Sequence, residues 1–315
     1  MVFAEFERSG RTSPQPFPHD LARDIRLIVL DIDGTIAGRN NRINPPVLAA
    51  IEAAQARGLA VTIATGRMYC SALRFHRQIK TPLPLIAYQG AWIGQPNHDA
   101  EPPHQAIEPP LLHRPLDRSL AREIIDFLED PAWSDRLSLH LYIDDRLYIR
   151  HLTPASRDYA DRTGTEPISV GDLRSMLDRG PDPTKVLALS PDQTLTRDLL
   201  DKLRQRYSPQ QVYLTTSVST FLEAAHPQVN KGNALRHLAE DQLGLRPEQV
   251  MFLGDNFNDL EAIAYAGLGV AMGDAPEPVK AIAQWVAPSV ADDGAARAIE
   301  QVLATQRPYS PFVND

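Results

Sequence analysis

The chain has 315 residues, 43% hydrophobic and 23% charged, which excludes a disordered chain or a minimal module and leaves one large domain or two ordinary ones. A formal net charge of -8 speaks against nucleic acid or anionic membrane as the main partner, and no run approaches the roughly 20 apolar residues needed to span a bilayer. The single cysteine, Cys70, excludes an intrachain disulfide framework and a Cys-rich zinc site, and fits a reducing cytoplasm.

The first residues, 1–24, carry scattered charge and Pro14, Pro16 and Pro18, and are expected to form a flexible lead-in. Leu27 to Ile32 is a short apolar run rich in branched residues, predicted as a buried strand. Pro45 to Gly58 has helical spacing, with proline at its start and glycine at its stop. Leu59 to Thr65 is a second buried strand, so the segment reads as a βαβ unit of a parallel sheet. The middle of the chain differs. Leu137 to Arg150 alternates around a polar Asp144-Asp145 turn and predicts an antiparallel hairpin. Lys185 to Ser190 and Val212 to Ala225 add strands around a helix from Thr196 to Tyr207. The αβ rhythm then returns: helix Lys231 to Gly244, strand Val250 to Asp255, helix Asn258 to Gly267, strand Leu268 to Met272 and helix Asp293 to Ala304. The expected fold class is α/β, a doubly wound parallel core of residues 25–90 and 230–315 interrupted by an inserted α+β domain of residues 91–229.

Four short segments fall at or beside the carboxyl ends of core strands, the edge where such sheets bind ligands. Asp31-Ile32-Asp33-Gly34-Thr35 offers two acids and a glycine turn whose N–H groups can meet an anion. Thr65-Gly66-Arg67 offers a hydroxyl and a backbone N–H for a phosphate oxygen. Lys231 stands at a helix start, where the macrodipole disfavours a cation, and hints at an anionic partner. Gly254 to Asp259 gathers acids and amides of the kind that bind a hard cation such as Mg²⁺. Each segment alone also reads as an ordinary turn, helix cap or surface lysine. Together, in order along one sheet edge, they do not.

These four segments resemble the motifs of the haloacid dehalogenase superfamily, and the insertion after the second motif is similar to that of its Cof-type phosphatases, which carry a large α/β cap. The resemblance spans Arg26 to about Ala304. It implies that Asp31 is the nucleophile, Asp33 the general acid and base, and Lys231 the cation bridging nucleophile and phosphate. It implies Mg²⁺ on Asp31, the Asp33 carbonyl and Asp255, with Asp259 as ligand or support, and phosphate contacts from Thr65, Gly66, Arg67 and Asn258. An aspartate at position 33 favours phosphomonoester hydrolysis. Lys185, the competing cation, lacks the helix-start setting. Where the family carries Asn-Gly-Ala this chain has Gln89-Gly90-Ala91, which moves an amide donor by one methylene. The implied partner is a small phosphorylated metabolite. A phosphomutase, a sucrose-phosphate-type phosphatase or a binding protein on the same scaffold are the alternatives. Candidate selecting groups on the cap are His140, Tyr142, Asp144, Arg146 and Tyr213.

Overall fold

The computed structural model describes residues 16–97, 109–178, 180–216 and 218–306. A short helix, α1 (His19–Ala22), leads into β1 (Leu27–Leu30), α2 (Pro45–Ala56), β2 (Ala60–Ile63), α3 (Tyr69–Gln78), β3 (Leu85–Ala87), β4 (Trp92–Gly94) and β5 (Leu112–His113). Next come α4 (Arg118–Leu128), β6 (Ser138–Ile143), β7 (Arg146–Ile149), α5 (Pro154–Thr163), β8 (Ile168–Ser169), α6 (Ser175–Asp178), β9 (Lys185–Leu189), α7 (Gln193–Arg206), β10 (Tyr213–Thr215) and β11 (Phe221–Ala225). The chain ends on α8 (Lys231–Arg236), β12 (Val250–Gly254), α9 (Leu260–Tyr265), β13 (Leu268–Ala271), α10 (Glu277–Ile282), β14 (Trp285–Val286) and α11 (Gly294–Thr305).

Among the described residues, β14-β13-β12-β1-β2 form a parallel sheet in that order. Alternate residues of β1 enter different cores: Ile28 and Leu30 join one cluster, Leu27 and Val29 the other. Both faces are therefore covered, which is why the strand reads as an unbroken apolar run. Register matters more for function. Leu30 pairs with Leu253 on one side and Ile63 on the other, so Asp31, Thr65 and Asp255 emerge side by side at the carboxyl edge.

The cap sheet runs β10-β11-β9-β6-β7-β8, antiparallel except for β7 with β8. Strand alternation sorts its residues. Leu139, Leu141, Val186 and Ala188 pack with α4 and α7 into a cap core. Tyr142, Leu187, Leu189 and Phe221 point the other way and join the cluster of the parallel domain. Helices α4, α5 and α7 start on Asp117, Thr153 and Asp192, whose side chains accept from Leu120, Ser156 and Leu195 amides.

Three expectations change. Residues 16–24 are part of the folded core: Phe17 is buried and meets Trp285 edge-on, and Gln306 donates to the Ala22 and Ile25 carbonyls. Residues 1–15 lie outside the described set. The cap does not start at residue 91, because β4 pairs with β3, β3 bridges to the main sheet through Ile86 and Ala64, and Ile93 packs with Val29 and Phe252. Membership of the cap core begins at Leu116. The helix expected from Lys231 to Gly244 is α-helical only to Arg236 and continues as a π-type turn from His237 to Gln242. No helix among the described residues is long and apolar enough to cross a membrane.

Candidate active site

The carboxyl ends of β1, β2 and β12 deliver the groups that meet at the sheet edge. The Asp31 amide donates to the Leu253 carbonyl at 3.0 Å, which continues the ladder one residue past β1 and fixes the carboxylate at the seam between two strands. Lys231, fully buried at the start of α8, donates from Nζ to Asp31 Oδ1 and to Asp259 Oδ1, each at 2.6 Å. Those two carboxylates outweigh the helix end that would repel the ammonium, and hold its pKa above the usual lysine value against the opposing effect of burial.

Asp31, Asp255 and Asp259 each place a carboxylate oxygen within 4.8 Å of the others. Burial pushes the carboxyls of Asp31 and Asp255 up; Lys231 opposes this, while each acid's charged neighbours reinforce it. Such crowding is what a divalent cation relieves, and an all-oxygen donor set suits Mg²⁺. The backbone is shaped for it. Gly34 has φ +81, and a Cβ there would sit 2.1 Å from Asp255 Oδ2. Asp259 is committed elsewhere: Oδ1 takes Lys231, and Oδ2 accepts from the amides of Asp255 at 3.0 Å and Asn256 at 3.1 Å. That makes Asp259 the post on which the lysine and the Asp255 loop are hung. A Cβ at Gly254 would lie 2.4 Å from its Cγ.

Asp33 has a different partner. Arg67 grips its carboxylate through two hydrogen bonds, Nε to Oδ2 at 2.7 Å and Nη2 to Oδ1 at 2.6 Å. Although burial pushes the other way, these bonds and the charges of Arg67 and Arg162 hold Asp33 below the usual carboxylate range. Arg67, expected to face phosphate, is thus turned to the second acid, with Nη2 also on Asn41 Oδ1 at 2.7 Å. Thr65 is buried beside it, and its hydroxyl accepts from the Arg67 amide. Asn258 Nδ2 donates to Gln89 Oε1 at 3.0 Å, and a Cβ on Gly66 would meet Gln89 Nε2 at 2.3 Å. Residues Tyr88 and Gln89 both take positive φ, 52 and 59, which swings that amide against the second motif. Asp31, Asp33, Thr65, Gly66, Arg67, Asp255 and Asn258 therefore line one cleft, with Lys231 and Asp259 just beneath.

The cleft, about 240 Å³, is closed from above by Tyr159, Arg162, Leu187, Phe221 and the buried pair Lys185–Glu223 at 2.7 Å. Lys185 also donates to the Gly66 carbonyl at 3.2 Å, so it ties the cap to the second motif. None of the five cap residues singled out from sequence lines this cleft. Tyr142 and His140 are buried in the cap sheet, with His140 on the Ser156 hydroxyl at 2.9 Å, and Asp144 and Arg146 border a separate hollow with Trp92.

Two latches between cap and core were not visible in the sequence. The tip of the β6–β7 hairpin buries Asp145, which accepts from the amides of Tyr69 at 3.0 Å and Cys70 at 2.8 Å and from the Tyr88 hydroxyl at 2.7 Å. Burial raises its pKa to about 6, and burial beside this charge pushes the Cys70 thiol up, which keeps it unreactive. The last turn of α5 supplies the second latch: its Arg162 and Thr163 carbonyls, orphaned as at any helix end, accept from Asn41 Nδ2 and the Ser71 hydroxyl, both at 2.6 Å.

Comparison with known proteins agrees with this geometry. A family model described as haloacid dehalogenase-like hydrolase matches residues 28–299. The chain is 28% identical over 280 residues to the Bacillus subtilis protein named 5-amino-6-(5-phospho-D-ribitylamino)uracil phosphatase YitU, covering 88% of this chain and 97% of that one. It is 28% identical over 257 residues to the HMP-PP phosphatase of Serratia proteamaculans, covering 82% and 87%. The crystal structure of TM0651 from Thermotoga maritima superposes with a TM-score of 0.71 at 28% identity, covering 88% of this chain and 97% of that one. The chain belongs to the haloacid dehalogenase-like hydrolases, among relatives that are named phosphatases.

Proposed function

We propose that the protein is a Mg²⁺-dependent phosphatase of small phosphorylated metabolites that works through an aspartyl-phosphate on Asp31. The observation that carries this is the meeting of Asp31, Asp255 and Asp259 around the buried Lys231 at one sheet edge. Asp31 and Asp255 would hold the cation, with the Asp33 carbonyl as a further donor and Asp259 in support. Bound there, Mg²⁺ supplies the positive charge that lets a carboxylate approach an anionic phosphate.

The chain's own groups do the rest. Lys231 neutralises Asp31, which lines the cleft, and holds it through Oδ1. Thr65, the Gly66 N–H and Asn258 orient the phosphate oxygens. Asp31 forms a bond to phosphorus while the bond to the alcohol oxygen breaks, and the fraction of Asp33 that is protonated against the pull of Arg67 gives that oxygen its proton. Asp33, now ionised and held so by Arg67, takes a proton from water; the water oxygen bonds to phosphorus, and Asp31 and inorganic phosphate separate. The cap above the cleft excludes bulk water from the intermediate. Purified protein should hydrolyse p-nitrophenyl phosphate with Mg²⁺ and release free phosphate, and Asp31→Asn should abolish turnover. Activity that survives this substitution rules out Asp31 as nucleophile.

A further inference from the structure

The ceiling of the cleft is uneven in its hydrogen-bonding capacity. On the cap side the Lys185 ammonium and the Glu223 carboxylate are engaged with each other. The Thr163 hydroxyl donates to the Tyr159 carbonyl at 2.8 Å, and the Tyr159 hydroxyl is hydrogen-bonded to that of Tyr142. Leu187, Val218 and Phe221 contribute only apolar surface. The guanidinium of Arg162 is different. It lies 5.9 Å from the Tyr159 ring centre and 5.5 Å from that of Phe221, and makes no side-chain hydrogen bond or ion pair among the described residues. It lines the same cleft as Asp31 and Asp33.

Resting on the phosphatase reading above, we propose that Arg162, seated on the rings of Tyr159 and Phe221, is a specificity-determining group that selects phosphomonoesters whose leaving group carries a carboxylate or carbonyl acceptor. A guanidinium offers five donors and no acceptor, in a planar fork that matches carboxylate geometry. Sugar hydroxyls need acceptors as well as donors, and the one cap carboxylate lining the cleft among the described residues, Glu223, is already held by Lys185. The two rings hold the guanidinium by cation–π attraction and leave its N–H edges for a ligand. Space favours a compact partner: about 240 Å³ is below the roughly 300–1,000 Å³ of sites for drug-sized ligands.

The test compares two substrates of matched shape and similar leaving-group acidity, 3-carboxyphenyl phosphate and phenyl phosphate, with glucose 6-phosphate as the polyol. In the wild-type protein with Mg²⁺, kcat/KM for the carboxylated ester should exceed that for phenyl phosphate by about tenfold, as expected for one added charge-assisted contact. Arg162→Gln should bring the ratio to about 1, through KM, and Arg162→Lys should restore part of it. A wild-type ratio near 1, a ratio unchanged in Arg162→Gln, or a preference for glucose 6-phosphate overturns the subsite. Absence of turnover on all three esters counts against the phosphatase reading instead. The subsite is then decided by calorimetric binding of 3-phosphonobenzoate against phenylphosphonate, which should differ by the same factor and would refute it if equal.

Discussion

Without a bound cation, the acid cluster should be a pH-dependent weakness of the fold. Asp31 and Asp255 titrate above the ordinary carboxylate range through burial and their acidic neighbours, only partly offset by Lys231. Carboxyls that close share protons, so near pH 7 the pair retains about one. The sign follows from linkage. The folded metal-free state binds more protons than the unfolded chain above pH 4, so its stability falls as pH rises, by about 1.4 kcal/mol per pH unit while one proton is at stake. A cation that needs both carboxylates must displace that proton. Its apparent affinity should therefore climb about tenfold per pH unit through neutrality, with about one proton released per ion bound. Titration calorimetry with Mg²⁺ at pH 7, in buffers of different ionisation heat, reads the proton count directly. Thermal unfolding in EDTA and in Mg²⁺ between pH 6 and 9 reads the stability. Binding heat that does not depend on buffer, or an EDTA curve that rises with pH, would refute the electrostatic reading of this cluster.

Arg67→Gln removes both hydrogen bonds that keep Asp33 ionised. Asp33 should then titrate nearer its ordinary range, and, because it must be protonated to serve the leaving group, the alkaline limb of the pH–kcat/KM profile should move to higher pH; an unmoved limb disconnects Arg67 from Asp33. Asn41→Ala takes away the donor to the last-turn carbonyl of α5 and to the cap latch, at a cost of about 1 kcal/mol. Amide hydrogen exchange in residues 160–164 should speed up, while the helices of the parallel domain keep their protection. Asp145→Ala leaves three donors at Tyr69, Cys70 and Tyr88 without their acceptor. Unsatisfied donors cost roughly 1–3 kcal/mol each, partly offset by no longer burying a carboxylate whose pKa burial raises to about 6. A net loss of stability should appear in denaturant unfolding, and Asp145→Asn should recover little, since its amide presents hydrogens to donors.

The core and its acids were legible because the chemistry restricts residue type where the fold restricts position. An unbroken apolar run such as Leu27 to Leu30 has few readings other than a doubly covered strand, and Asp31 and Asp255 follow such runs directly. The lysine at the start of α8 was legible as a misfit, and the structure supplies its two acids. The cap boundary was not legible. The short apolar pieces around Trp92, Ile93 and Leu112 carry no local mark of which sheet they join, and that pairing depends on β3 meeting the end of β2 through residues Ile86 and Ala64. The cap's pocket residues failed for a related reason. Period-two alternation tells which residues share a face, but whether that face meets α4 and α7 or the cleft is decided by partners far along the chain. Asp145 read as one half of a polar turn, which it is; that its carboxylate is buried between domains has no local signature.

The end of α5 joins two of these themes. Its backbone carbonyls at Arg162 and Thr163 are held by Asn41 and Ser71, its Arg162 side chain enters the cleft, and Asn41 in turn accepts from the same Arg67 that grips Asp33. A continuous hydrogen-bonded path thus runs from the cap backbone through Asn41 and Arg67 to the Asp33 carboxylate. Asn41→Ala, which removes the link between the α5 carbonyl and Arg67, is therefore expected to loosen both the cap latch and the grip on Asp33.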